Sequence, residues 1–218
     1  MGYWNLVMDK DALVDLFLEA TTLKWMPRTG WGMRGVAQVE SVADHSYGVA
    51  FMALALAEAL SQPQTLAQPQ AWADTTSREG GRTNLDLEKV LIMALLHDLA
   101  EVRLTDLPSS AVRLLPGMVK REAEATVIAD LLAPLPTAGR LRALWQEFED
   151  HSSPEGRLVR DADKLEMMVQ CLRYEQAGSR GLDDFWEATD RRQWHYALCA
   201  EIYGRLKTLR PVGATPEA

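Results

Sequence analysis

Cysteine is scarce in this chain. Its 218 residues hold two, Cys171 and Cys199. Two cysteines make no disulfide framework, and they fit a reducing cytosol. Positive charge is in deficit: 23 Lys and Arg stand against 31 Asp and Glu, a net charge of −8. Such a chain repels nucleic acid and acidic membranes, which removes both as general partners. No apolar run has the length or purity of a membrane span. The opening "MGYWNLVMDK" lacks a signal-peptide pattern, and Leu6 stands where a myristoylation motif needs Ser or Thr. Period-two alternation and internal repeats are missing too. Histidine is rationed to four.

What is present is helix. The 47% apolar and 25% charged composition is that of an ordinary globular protein. Residues 9–23 place Leu13, Leu16, Phe17 and Ala20 on one stripe behind Asp9. Residues 24–40, with Pro27, Gly30, Gly32 and Gly35, read as an ordered loop. A second helix is expected from about Val42 to Leu60, with Ser41 as N-cap and Asp44 at its third position. A third, roughly 86–103, is apolar from Val90 to Leu96 and should be central. Others are expected at about 118–132, 137–149, 154–177 and 183–208, with Ser153 and Pro154 opening the third of these and Gly178 closing it. The expectation is one all-α domain with a core of about 9–208. A polar stretch at about 61–85 reads as a mobile connection, and about 209–218 as a frayed tail.

Against that background, "LLHDLAEVRLTDLP" at 95–108 is out of place. His97 and Asp98 follow a run of leucines. Adjacent helical residues diverge by about 100°, so the two converge on one point only where another element meets the helix. An arbitrary His-Asp pair is a buried histidine beside an exposed acid. Here, however, His45 also interrupts an apolar helix, and Asp161 and Asp163 interrupt the stripe of Leu158, Leu165, Met168 and Leu172. Two imidazoles and two carboxylates from three helices suffice to hold one divalent ion, with Mn, Co, Fe, Ni, Zn and Mg all compatible.

The order H…HD…D resembles that of the HD-domain metal-dependent phosphohydrolases. "PRTGW", "ESVADHSY", "HDLAEVRLTDLP" and "SSPEGRLVRDADKLEM", together spanning about residues 23–175, resemble the 5′-deoxynucleotidase subgroup more closely. The resemblance implies metal ligands at His45, His97, Asp98 and Asp163, the last matching the family pattern better than Asp161. It implies catalytic acids at Glu101 and Asp106, whose blander reading is a solvated pair at a helix end. The expected reaction is hydrolysis of a deoxyribonucleoside 5′-monophosphate to deoxynucleoside and phosphate. An acidic protein needs local cations for such a substrate. "LKWMPRTGWGMR" offers Lys24, Arg28 and Arg34 around Trp25 and Trp31. Arg28 is favoured for the phosphate, with Arg34 second, and Trp31 for stacking beside the nucleoside. Some family members carry Arg directly before that Trp, where this chain has Gly30.

The alternatives are an HD phosphohydrolase acting on a triphosphate or another nucleotide, and a non-catalytic metal- or nucleotide-binding domain. A cyclic-dinucleotide phosphodiesterase lacks support because the "GYP" block is absent. A di-iron oxygenase would need more imidazoles than four. A cytoplasmic homodimer is expected, from the family and from the many tryptophans and apolar final helices.

Overall fold

The structure, a computed structural model, describes residues 9–62, 78–79 and 82–211. Most of the expected mobile connection and tail, and the first eight residues, lie outside the described residues. The rest is helical: α1 (Lys10–Ala20), a 3₁₀ turn (Thr21–Lys24), α2 (Thr29–Gly32), α3 (Val42–Ser61), α4 (Leu87–Leu96), α5 (Glu101–Leu104), α6 (Ser109–Val112), α7 (Gly117–Leu132), α8 (Ala138–Glu149), α9 (Pro154–Gln176), α10 (Asp183–Asp190) and α11 (Ala197–Lys207). The all-α class holds. One short antiparallel pairing, β1 (Arg78–Glu79) with β2 (Arg82–Thr83), falls within the polar connection.

Helix starts follow side-chain chemistry. Ser41 accepts from the Asp44 amide while the Asp44 carboxylate accepts from the Ser41 amide, a complete capping box that contributes about 1 kcal/mol. Ser153 caps α9 through the Gly156 amide, with Pro154 in the first position. Asp86 caps α4 through the Lys89 amide.

Two expected helices are broken, and both breaks serve the interior. The 86–103 helix stops at Leu96. Leu99, Glu101 and Val102 then bond three residues back, and α5 begins at Glu101. At the break the His97 side chain donates from Nδ1 to the Ala94 carbonyl at 2.8 Å. The 183–208 helix is likewise two, α10 and α11. The backbone amides of His195 and Tyr196 between them donate to the buried Asp161 carboxylate, each at 2.9 Å, and Arg192 adds a third contact at 3.1 Å.

Helices α3, α4 and α9 form the centre, with α3 against both others. Val49, Ala53, Met93, Leu158, Ala162 and Met168 are fully buried between them. A second apolar cluster around Ile128, Leu131 and Trp145 ties α7 and α8 to the α4 end. Trp186 and Trp194 are buried in the main core.

Candidate metal centre

The start of α3, the end of α4 and the middle of α9 meet at one point. His45, wholly buried one turn into α3, directs Nε2 at His97 Nε2 (3.4 Å), Asp163 Oδ1 (3.4 Å) and Asp98 Oδ2 (3.6 Å). His97 Nε2 lies 3.3 Å from the same Asp98 oxygen. Donor atoms of His45, His97 and Asp163 all fall within 4.8 Å of one another. His97 and Asp98 stand where α4 gives way to a turn, with α3 and α9 both packed against α4, so side chains that diverge from neighbouring residues both meet donors from another element.

Both imidazoles are oriented from behind. A carbonyl only accepts, so the His97 bond to Ala94 O puts the proton on Nδ1 and leaves the Nε2 lone pair facing the cluster. On His45, Nδ1 lies 2.5 Å from Glu166 Oε2, with the same consequence. A second donor group, Glu40 with His45 and Glu166, uses this rear side of the ring. That side is already occupied by the Glu166 hydrogen bond, and Glu40 accepts from the Trp31 indole at 2.8 Å. The front set is therefore the one that fits a metal.

The electrostatics agree. Burial and the Arg28 charge push the His45 imidazole down, yet Asp163, Glu166 and Asp98 outweigh them and raise it to about 10. The same field favours any cation between the two Nε2 atoms. Burial pushes Asp98 up, but His97, Arg28 and His45 hold it well below the usual carboxylate range. Asp163 is likewise held low against burial, by Lys164 and His45. An ion that displaces the His45 proton would meet two imidazole nitrogens and two ionised carboxylates, a donor set that suits a divalent transition metal.

Asp161, two residues before Asp163, points the other way and serves the α10–α11 break. Glu101 lies beside the cluster with Oε2 buried and no hydrogen-bond partner. Burial first, then the charges of Asp98 and Asp106, raise its carboxyl to about 9. Asp106 is differently engaged. Its carboxylate accepts from the Thr29 amide and from Arg28 Nη1 (3.2 Å), the same nitrogen that donates to Asp98 (3.1 Å). Thr105, at φ 63°, makes the turn that carries Asp106 back toward Arg28. That conformation is uncommon for a β-branched residue.

Two expected substrate residues need correction. Trp31 is 2% exposed, stacked on Phe185 at 4.3 Å and bound to Glu40, so its ring is core and offers no face to a nucleoside. Trp25 is the exposed one, at 86%. Arg34 is paired near the surface with Asp184 of α10, so its guanidinium is already committed to a carboxylate. Of the expected cations, Arg28 makes contacts at the cluster, to Asp98 and Asp106. Sequence reasoning missed Glu166, although it stands one helical turn after Asp163. It also missed Lys120, Glu124 and Arg160, which with His97, Asp98 and Asp163 line a cavity of about 280 Å³.

A family model described as HD domain matches residues 20–68 and 76–196. The chain is 32% identical over 189 residues to 5′-deoxynucleotidase HDDC2 of Danio rerio, covering 86% of this chain and 80% of that one. It is 29% identical over 169 residues to 5′-deoxynucleotidase hdd1 of Schizosaccharomyces pombe, covering 75% and 73%. A solved structure of a Pyrococcus horikoshii protein superposes with a TM-score of 0.71 at 37% identity, covering 90% of this chain and 99% of the other. With the HD pair and its two outlying partners converged on one point, the chain belongs to the HD-domain family.

Proposed function

We propose that this chain is a metal-dependent phosphomonoesterase that hydrolyses deoxyribonucleoside 5′-monophosphates to deoxynucleoside and phosphate. The observation that carries the proposal is a Glu101 oxygen, Oε2, buried without a hydrogen-bond partner beside four convergent metal donors, with an arginine held at the same place. Relatives named 5′-deoxynucleotidase support the substrate class. The whole chain, with its core at about 9–208, is taken as one HD domain.

His45, His97, Asp98 and Asp163 would hold one divalent ion, drawn from Mn, Co, Fe, Ni, Zn and Mg. When bound, it supplies a Lewis acid that acidifies water and polarises a phosphoryl oxygen. Arg28 binds and orients the phosphate, and Asp106 fixes Arg28 by holding Nη1 and the neighbouring Thr29 amide. Glu101 moves the proton, since its Oε2 is uncommitted while both Asp106 oxygens are engaged. The rest of the cavity, with Lys120, Arg121 and Arg160, is available to the nucleoside end of the substrate. Those three cations also favour a second reading, in which a longer phosphate chain is taken.

A phosphate-release panel separates the readings. Deoxy and ribo mono-, di- and triphosphates are each assayed with several metals. Release from deoxynucleoside monophosphates is expected to dominate, and to vanish in His97→Ala together with bound metal. Preferential hydrolysis of triphosphates would favour the second reading. No release from any nucleotide, with metal retained, would leave a binding domain.

A cytoplasmic homodimer is part of the proposal. Buried free thiols at Cys171 and Cys199 fit a reducing compartment. The outward Tyr47 and Phe51 on α3 and Leu95 on α4 leave apolar surface for a second copy. The net charge of −8 argues against nucleic acid and membrane partners. Light scattering should give twice the chain mass; a monomer mass at micromolar concentration refutes the dimer.

A further inference from the structure

The two imidazoles of the cluster are held in different ways. His97 is oriented by a neutral carbonyl from its own helix. His45 is oriented by an anionic carboxylate from another helix, Glu166 of α9, at 2.5 Å with both groups buried. That contact requires α9 to press its side chain onto α3. The place where it does so is Gly48, one turn after His45 on the same helix.

A Cβ built on Gly48 would lie 2.7 Å from Glu166 Cγ, 2.7 Å from Oε1 and 3.0 Å from Cδ. All three of its nearest neighbours belong to Glu166. Gly48 sits inside a 20-residue helix, where alanine is the better helix former. Helix propensity therefore argues against glycine here, and the one thing the missing methyl admits is the Glu166 carboxylate. Helix α9 in turn uses one face twice: Asp163 faces the front of the cluster and Glu166, three residues on, reaches the back of His45.

We propose that Glu166 is a positioning residue for the metal, fixing His45 with its proton on Nδ1 and its Nε2 lone pair forward, and that Gly48 is the space this carboxylate requires. A carboxylate behind a metal-ligating imidazole fixes the tautomer and raises the ligand's basicity. Glu166 touches neither substrate nor ion; it acts through His45. Glu40, carrying the Trp31 indole and lying within ligand range of both His45 and Glu166, closes the rear of this arrangement.

The inference rests on reading His45, His97, Asp98 and Asp163 as a metal site, and the test keeps the two failures apart. Zn²⁺ affinity is measured by chelator competition on the full chain, without reference to turnover. His97→Ala tests the site itself, and stoichiometric Zn²⁺ in that variant would refute the site. Given a functioning site, Glu166→Ala is expected to weaken Zn²⁺ binding by about 10- to 100-fold. Glu166→Gln, which keeps an acceptor but not the charge, should recover part of that loss. Gly48→Ala, which removes no polar atom, should match Glu166→Ala, and the double variant should lose no more than either single one. Wild-type affinity in Gly48→Ala, or losses that multiply fully in the double variant, would overturn the proposal. A ¹⁵N spectrum of the Zn²⁺-loaded wild-type protein decides independently of how the variants fold. It should show His45 protonated at Nδ1 and coordinated through Nε2; coordination through Nδ1 would also overturn it.

Discussion

A single carboxyl, Glu101, has the strongest residue-level case. Burial takes it out of water, Asp98 and Asp106 add negative charge around it, and its Oε2 has no hydrogen-bond partner. An orphaned buried polar atom costs about 1–3 kcal/mol in a folded protein. A residue that served only to solvate a helix end would turn that oxygen outward. Glu101→Gln keeps the shape and removes the proton chemistry. It should leave fold and metal content intact and lower kcat by roughly 10²–10⁴, the usual share of a general acid–base group. Normal turnover would refute the catalytic role, whereas lost metal would make Glu101 a ligand. Asp106, by contrast, is engaged with Arg28, which burial alone would push toward losing its proton and which Asp98 and Asp106 hold charged.

Elements explain what could be read in advance and what could not. Where a helix boundary is set by its own side chains, the sequence carries it. Ser41 with Asp44, and Ser153 with Pro154, start α3 and α9 where their capping chemistry says they should. The breaks were not legible, because their causes are distant in sequence. Nothing near 191–196 announces a gap between α10 and α11; the reason is Asp161, thirty-odd residues earlier, whose buried carboxylate takes the loop amides. The α4–α5 break hides inside a good helical pattern, and its local cause, the His97 side chain bonding Ala94 O, reads from sequence as one more helical residue. The same limit applies to the site. That His45, His97, Asp98 and Asp163 come together was legible because histidines and acids interrupt apolar stripes. Trp31 was misjudged because a tryptophan beside glycines and arginines looks the same whether its ring faces Phe185 in the core or a ligand. Gly48 gave no signal, since a glycine in a helix acquires meaning only from the Glu166 that packs on it.

At the scale of the molecule, the four donors tie together α3, the α4–α5 turn and α9, the three elements around which the core is built. A cation bound there links chain segments that loop entropy would otherwise separate, and it neutralises the buried charges of Asp98 and Asp163. The unfolded chain presents no such constellation, so an ion held by these donors would bind the native state preferentially and add to stability as RT ln(1 + [M]/Kd). Above Kd, each tenfold increase in free metal should add about 1.4 kcal/mol. For a chain of this length that corresponds to a rise in Tm of about 3–6 °C per decade. Thermal melts across a buffered Zn²⁺ or Mn²⁺ series should therefore climb without a plateau, and excess EDTA should return the protein to its lowest Tm. His97→Ala also loses a buried ring and its bond to Ala94 O, so its baseline is its own melt in EDTA, from which it should stay flat as metal rises. A Tm that ignores metal in the wild type would mean that no ion spans these helices. A metal-dependent rise that persists in His97→Ala would put the stabilising ion somewhere other than the convergence of α3, α4 and α9.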